Sequence, residues 1–151
     1  MTLIILTLTF GTMVAAGVPL LIGITSVLAA LGLVALPSSI LPVDANLPAV
    51  VLLIGLAVGV DYSLFYLRRE REERAAGRSE RSALETAAAT SGRAVLISGV
   101  TVIVAMAGMF ISGDKSFISF AEGAIVVVAI AVFASMTVLP AMLSWLGDRV
   151  E

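Results

Sequence analysis

Polar residues interrupt this chain at only a few places, and the apolar runs between them have the length of membrane spans. The runs cover about 1–16, 19–36, 47–67, 94–111 and 117–146. A helix rises ~1.5 Å per residue and a hydrocarbon core is ~30 Å thick, so the first run, at ~24 Å, reads as the tail of a span whose beginning is missing. Gly17-Val18-Pro19 is expected to separate it from the second run, because proline lacks an amide donor and suits the start of a helix. Pro37, Ser38, Ser39 and Pro42 mark the next exit loop, and Gly113-Asp114-Lys115 the turn before the last span. Within that last span Pro140 is a kink site and Trp145 an interfacial anchor.

Between Leu67 and Arg93 the composition flips. Arg68, Arg69, Arg71, Arg74, Arg78, Arg81 and Arg93 are seven of the nine Lys and Arg residues in the chain. By the positive-inside rule this loop is cytoplasmic, which puts 37–46 and 112–116 outside and the C-terminus inside. Arg149 then joins the inner set and only Lys115 lies outside, so eight of nine basic residues share one side. Glu70, Glu72 and Glu73 interleave with the arginines, as expected of a third helix that continues into the cytosol as a solvated extension ending near Gly77. Ser82-Ala83-Leu84-Glu85 has capping-box spacing and predicts a short helix, about 82–90, lying along the membrane surface. This topology starts Met1 outside within a truncated helix, so the chain reads as a piece of a longer polypeptide.

Composition agrees with a membrane protein. Hydrophobic residues make up 60% and charged residues 13%, against about 25% charged in soluble domains. Mean hydropathy is +1.11. There is no cysteine and no histidine, which removes disulfides, thiolate metal sites and the usual general base. Any proton chemistry falls to carboxylates and tyrosines. GLAVG lacks the lysine of a phosphate loop, and the mixed signs of the Arg/Glu run argue for a topology signal rather than a nucleic-acid patch. Neither an enzyme activity nor a cofactor or metal is expected.

The first functional candidate is Asp61, the acid in the third run, LLIGLAVGVDYSLFYLRREREE. A carboxylate in hydrocarbon costs roughly 2.5–3.5 kcal/mol on insertion scales and is expected to face a bundle interior, as an ion or proton site. Gly55 and Gly59 share one face with Tyr62, Ser63 and Tyr66, where small residues admit a neighbouring helix. Asp61 projects from the adjoining face beside Ala57, Val58 and Phe65, and a packed position is expected for it. Two readings stand: a structural hydrogen-bonding residue that fixes helix register, or a reversible proton carrier with Tyr62 as hydrogen-bond donor. Ser98 and Thr101 on the fourth span are candidate supports, although such hydroxyls commonly bond their own helix. Glu122 is the other acid in an apolar span, near the outer end of the last helix.

Three segments, GLAVGVDYSLFYLRREREE, SGRAVLISGVTVIVAMAG and SMTVLPAMLSWLGDR, taken in this order, resemble the MMPL family (mycobacterial membrane protein, large) of the RND transporter superfamily. The resemblance covers essentially the whole chain. It implies an all-α membrane fold of twelve helices in two similar halves, with a large extracytoplasmic domain after the first helix of each half; this chain corresponds to helices two to six of one half. It further implies that Asp61 and Tyr62 form a proton relay facing a matching Asp-Tyr pair in the other half, and that cargo is a lipid or other hydrophobic molecule. The opening helix, the extracytoplasmic domain and the second half are not in the sequence, so transport by this chain alone is not expected. Two alternatives remain: a five-helix lipid-responsive module like a sterol-sensing domain, and a subunit that pairs in parallel with a second copy.

Overall fold

The computed structural model describes residues 13–36 and 44–146, and among them every regular element is helical. The order is α1 (Met13–Ala35), α2 (Leu47–Ala75), α3 (Glu80–Ala107) with a 3-10 turn at Gly108–Ser112, and α4 (Lys115–Leu146). All four are long and apolar enough to cross a membrane. The run predicted at 1–16 and the exit loop at 37–43 lie wholly or largely outside the described residues, as does the stretch after Leu146.

Two boundaries differ from expectation. Helix α1 runs unbroken through Gly17-Val18-Pro19, with Pro19 inside it, so the break predicted there does not occur. Proline removes one ladder hydrogen bond, a loss that a packed helix tolerates; here Val18 and Ile22 on either side of Pro19 are fully packed. The short surface helix predicted at 82–90 is instead the first turns of α3, and Ser79, not Ser82, holds the N-cap position. Ser79 has an extended backbone (φ −64°, ψ 153°), which starts the helix one turn early. Ser82 therefore forms no capping box, and Glu85 pairs with Arg81 at 3.3 Å.

The remaining ends follow their residues. Gly113 takes φ +69° at the turn into α4, a conformation that glycine enters without a Cβ penalty. The Asp114 carboxylate accepts the amides of Ser116 (2.9 Å) and Phe117 (3.3 Å), satisfying two orphan donors of α4. Asp44 does the same for α2 by accepting from the Asn46 amide at 2.8 Å. The Asp44 amide donates to Ser119 Oγ at 3.1 Å and ties the start of α2 to the start of α4.

Helix α4 packs against α1, α2 and α3 and carries the largest share of the core, through residues that include Ala121, Ala124, Val127, Val128, Ala131, Leu139 and Leu143. Small residues dominate that face, as expected where lipid and helix surfaces are equally apolar and association rests on close packing. Helix α1 meets α2 most closely at Gly23 and Gly59: a Cβ on Gly59 would stand 2.7 Å from the Gly23 Cα. By contrast α3 is peripheral, with 11% of its apolar window buried against 39% in α1 and in α2. Its inner face is a single stripe, Ala83, Ala87, Ser91, Val95 and Gly99, with Gly92 beside it. Leu28, Leu53, Val104, Ile111 and Phe133 point outward and are mostly exposed, an outer surface suited to hydrocarbon and unlike that of a monomer in water.

Candidate functional site

The buried face of α2 reads Gly55, Gly59, Ser63, Tyr66, Glu70 and Glu73. Gly55 packs because it lacks a side chain: a Cβ there would lie 2.5 Å from Val27 Cγ2 and 2.6 Å from Val127 Cγ2. At 100° per residue, Asp61 stands about 200° from Ser63 and so points away from this face. The structure places it there: Asp61 is exposed, and among the described residues it forms no hydrogen bond or ion pair. The packed position expected for this acid within the chain is therefore corrected. The exposed Phe65 follows it one turn on along α2; on α3, Ser98, Thr101, Ile97, Val100 and Val104 are exposed as well, an apolar surface carrying a few polar groups.

Tyr62 is half-buried against the core between α2, α3 and α4, with its phenol oxygen over α3 at Gly99, 3.6 Å from where a Cβ would be. It thus bridges the buried and uncovered faces of α2. Thr101 Oγ1 donates to the Ile97 carbonyl at 2.8 Å, so this hydroxyl serves its own helix. Ser98 has no hydrogen bond among the described residues and leaves its hydroxyl for a neighbour. Glu122 is half-buried in the second turn of α4, away from the arginine-rich end.

At that end the structure differs from the solvated extension expected. Glu70 and Glu73 are 4% and 7% exposed, buried acids that sequence reasoning missed. Glu73 accepts from Arg69 Nη2 at 2.6 Å and from Arg78 Nε at 2.9 Å. Glu70 pairs with Arg74, whose other nitrogen reaches Glu80 of α3 at 3.4 Å. Arg78 also donates to Thr86 at 2.9 Å, so both arginines stitch α2 to the start of α3. The Tyr66 hydroxyl donates to the Leu84 carbonyl at 3.2 Å one step deeper. The i, i+4 spacing of Glu70 to Arg74 and of Arg69 to Glu73 was visible as charge pattern; the signal overlooked was that both acids continue the glycine face.

Long helices with apolar exteriors, packed through glycine and alanine, with one acid on an uncovered apolar flank, define a multi-pass membrane protein. The profile of the MMPL family matches residues 1–151, and the chain belongs to that family, a branch of the RND superfamily. It is 43% identical over 145 residues to the mycolic acid-containing lipids exporter MmpL11 of Mycolicibacterium smegmatis, a match covering 96% of this chain and 15% of the relative. To the trehalose monomycolate exporter MmpL3 of the same organism it is 36% identical over 148 residues, 98% of this chain and 15% of that protein. The heme uptake protein MmpL11 of Mycobacterium tuberculosis matches at 39% over 142 residues, 94% of this chain and 15% of the relative. The chain thus spans about 15% of the length of these curated relatives.

Proposed function

We propose that this chain is part of the membrane domain of a proton-coupled exporter of lipids or other hydrophobic molecules in the cell membrane, with Asp61 and Tyr62 as the intramembrane proton site. One observation carries the reading. An acid stands uncovered on an apolar flank, where hydrocarbon would reject it, so a protein surface with a complementary group belongs against that flank. A second half bearing a matching Asp-Tyr pair fits, as does a second copy inserted in parallel. The relatives named as lipid exporters support the cargo class. The arginine count assigns 68–93 and the C-terminus to the cytosol.

In this mechanism a charged Asp61 is held by its partner across the two halves. Protonation removes the charge and weakens that hold, which frees the halves to rock against one another. Each elementary charge moved across the membrane supplies ~2.3 kcal/mol per 100 mV, enough to bias a conformational equilibrium. Tyr62 donates a hydrogen bond to the charged form, and Ser98 is the candidate for a second donor. Alone, without the covering surface, the chain does not transport.

The test is Asp61→Asn in the full-length transporter, reconstituted in vesicles with an imposed proton gradient. Loss of gradient-driven export with the protein still folded is expected. Undiminished export would overturn the proposal, and lipid binding that persists without any gradient dependence in the parent would favour a sensor.

A further inference from the structure

We infer that the seam between α3 and α4 at the arginine-rich end is a water inlet reaching Ser91, and that it is the cytosolic limb of the proton route to Tyr62 and Asp61. The second half of this statement rests on the proton-coupled reading above; the first half does not.

A cavity of about 700 Å³ opens at this end, walled by Tyr66 of α2, Glu80, Arg81 and Glu85 of α3, and Pro140 and Ser144 of α4. Two carboxylates, a guanidinium and two hydroxyls offer water the several polar partners it needs, and the volume holds many molecules at ~30 Å³ each. The exposed Ala88 also lines the cavity, and Ser91 lies about one turn deeper, on the adjoining buried stripe of α3. Ser91 is 1% exposed, and among the described residues its Oγ has no hydrogen-bond partner. Many hydroxyls in these helices bond a carbonyl of their own helix, as Ser63 does with Gly59 and Ser135 with Val132. Ser26 of α1 shares the unpartnered state, but of the two only Ser91 lies next to the cavity's end of α3.

Helix α4 adds an acceptor at the same depth. Pro140 has no amide, so the Met136 carbonyl loses the donor that a regular helix would supply. Met136 lies against α3 at Gly92, the neighbour of Ser91, with its Cε 4.0 Å from where a Cβ would be. On α2 the buried polar series Glu73, Glu70, Tyr66 and Ser63 runs from the loop towards this level. Tyr66 of α2, the first turns of α3 and the proline turn of α4 thus bring polar groups to one cavity of an otherwise apolar bundle.

Beyond Ser91 the inner stripe of α3 holds Val95 and then Gly99, where the Tyr62 hydroxyl lies. From Ser91 to Gly99 is about 12 Å along the axis at 1.5 Å per residue. Val95, 4% exposed, is the apolar plug between them. A proton passes from water in the inlet to the Asp61 carboxylate when Val95 yields, and returns by the same oxygens; only O–H bonds are exchanged.

This sequence contributes no cysteine, so single cysteines placed in it report on it alone once any cysteines in the rest of the transporter are replaced by serine. Ala88→Cys, Ser91→Cys, Val95→Cys and, on the apolar outer face of α3, Ile97→Cys are to be made in the full-length transporter. In inside-out vesicles they are then treated with a charged, membrane-impermeant methanethiosulfonate reagent. The positions at 88 and 91 are expected to react about tenfold or more faster than those at 95 and 97, because thiolate forms in water and is suppressed in apolar surroundings. Labelling at 91 no faster than at 97 would overturn the inlet. For the proton limb, Ser91→Ala should lower the Asp61-dependent proton flux and Val95→Ser should raise it. If both leave that flux unchanged while Asp61→Asn abolishes it, the limb is wrong and the proton site stands. If Asp61→Asn leaves the flux intact, the proton-coupled reading falls and takes the limb with it, while the labelling pattern still decides the inlet.

Discussion

Gly59 and Gly23 meet where α1 and α2 cross, and a Cβ on Gly59 would stand 2.7 Å from the Gly23 Cα, a backbone atom that no rotamer change can move. Gly59→Ala should therefore push the two helices apart and cost about 1–3 kcal/mol, the usual penalty of overpacking. Gly32→Ala on α1, where nothing lies within 4 Å, is the control and should be neutral to slightly stabilising, since alanine is the better helix former. Reversible unfolding in mixed micelles compares the two. Equal stabilities would mean that the crossing is looser than described.

Tyr66 joins α2 to α3 through its hydroxyl on the Leu84 carbonyl. Side-chain hydrogen bonds inside membrane proteins average ~0.6 kcal/mol, so Tyr66→Phe should cost about that much. Tyr66→Ala also empties a position that is 1% exposed and should cost about 3–5 kcal/mol, like other large-to-small aromatic replacements. The same unfolding measurement separates them.

Glu72 and Glu73 are neighbours in sequence with opposite surroundings. Glu72 is half-exposed and its pairs with Arg68 and Arg69, at 3.2 and 3.3 Å, are screened by water. Glu72→Gln should change stability by less than about 0.5 kcal/mol. The Glu73 side chain is 9% exposed and held by Arg69 and Arg78, although these arginines are themselves 40% and 50% exposed. Removing its charge leaves Arg78 without this anion and Arg69 with only its screened pair to Glu72, and about 1–2 kcal/mol is expected, below the 3–5 kcal/mol of a fully buried pair. Proteolysis of the α2–α3 hairpin should accelerate in Glu73→Gln and not in Glu72→Gln.

The Asn46 backbone amide, followed by the Ser116 side chain, holds the Asp44 carboxyl below its ordinary value of 3.8. A depressed folded-state value means that the charged form contributes stability above the unfolded-state value and loses it as pH falls through the folded one. The start of α2 should therefore loosen only in acid below about 4, the ordinary carboxyl range, and Asp44→Asn should flatten that dependence. Amide exchange at Asn46 and Leu47, followed as the pH is lowered, reads it directly.

Much of this architecture was legible in the residues. Gly55 and Gly59 at helical spacing announced a close crossing, and Gly113-Asp114 announced a turn. The direction of Asp61 was not legible, for a physical reason: hydrocarbon and protein interior are equally apolar, so Ala57, Val58 and Phe65 look the same whether they meet lipid or another helix. Only the glycine face of α2, followed to Ser63 and Tyr66, shows which side is inward. Glu70 and Glu73 were hidden by the opposite habit, since a charge beyond the membrane boundary reads as solvated until arginines at i±4 are seen to cover it. At 79–82 the Ser-x-x-Glu spacing pointed to Ser82, yet the helix starts one turn earlier, at Ser79.

Ser98 and Thr101 sit on the uncovered flank of α3 and differ in what their hydroxyls are free to do. Thr101 Oγ1 is committed to the Ile97 carbonyl at 2.8 Å, and the residue is exposed on an apolar surface. Thr101→Val keeps the shape, removes a bond internal to the helix and should leave proton-coupled export within about twofold, as expected for a ~0.5 kcal/mol effect on an intrahelical contact. Ser98 has no such commitment, and if its hydroxyl serves the charged form of Asp61, Ser98→Ala withdraws one donor from a carboxylate. A hydrogen bond to a charged group is worth about 1.5–3 kcal/mol, so the loss should exceed tenfold in export at limiting gradient and should shift its pH profile towards higher pH, because the charged acid is the form that loses support. A profile that moves with Thr101→Val and not with Ser98→Ala would remove Ser98 from the proton site and put Thr101 in its place.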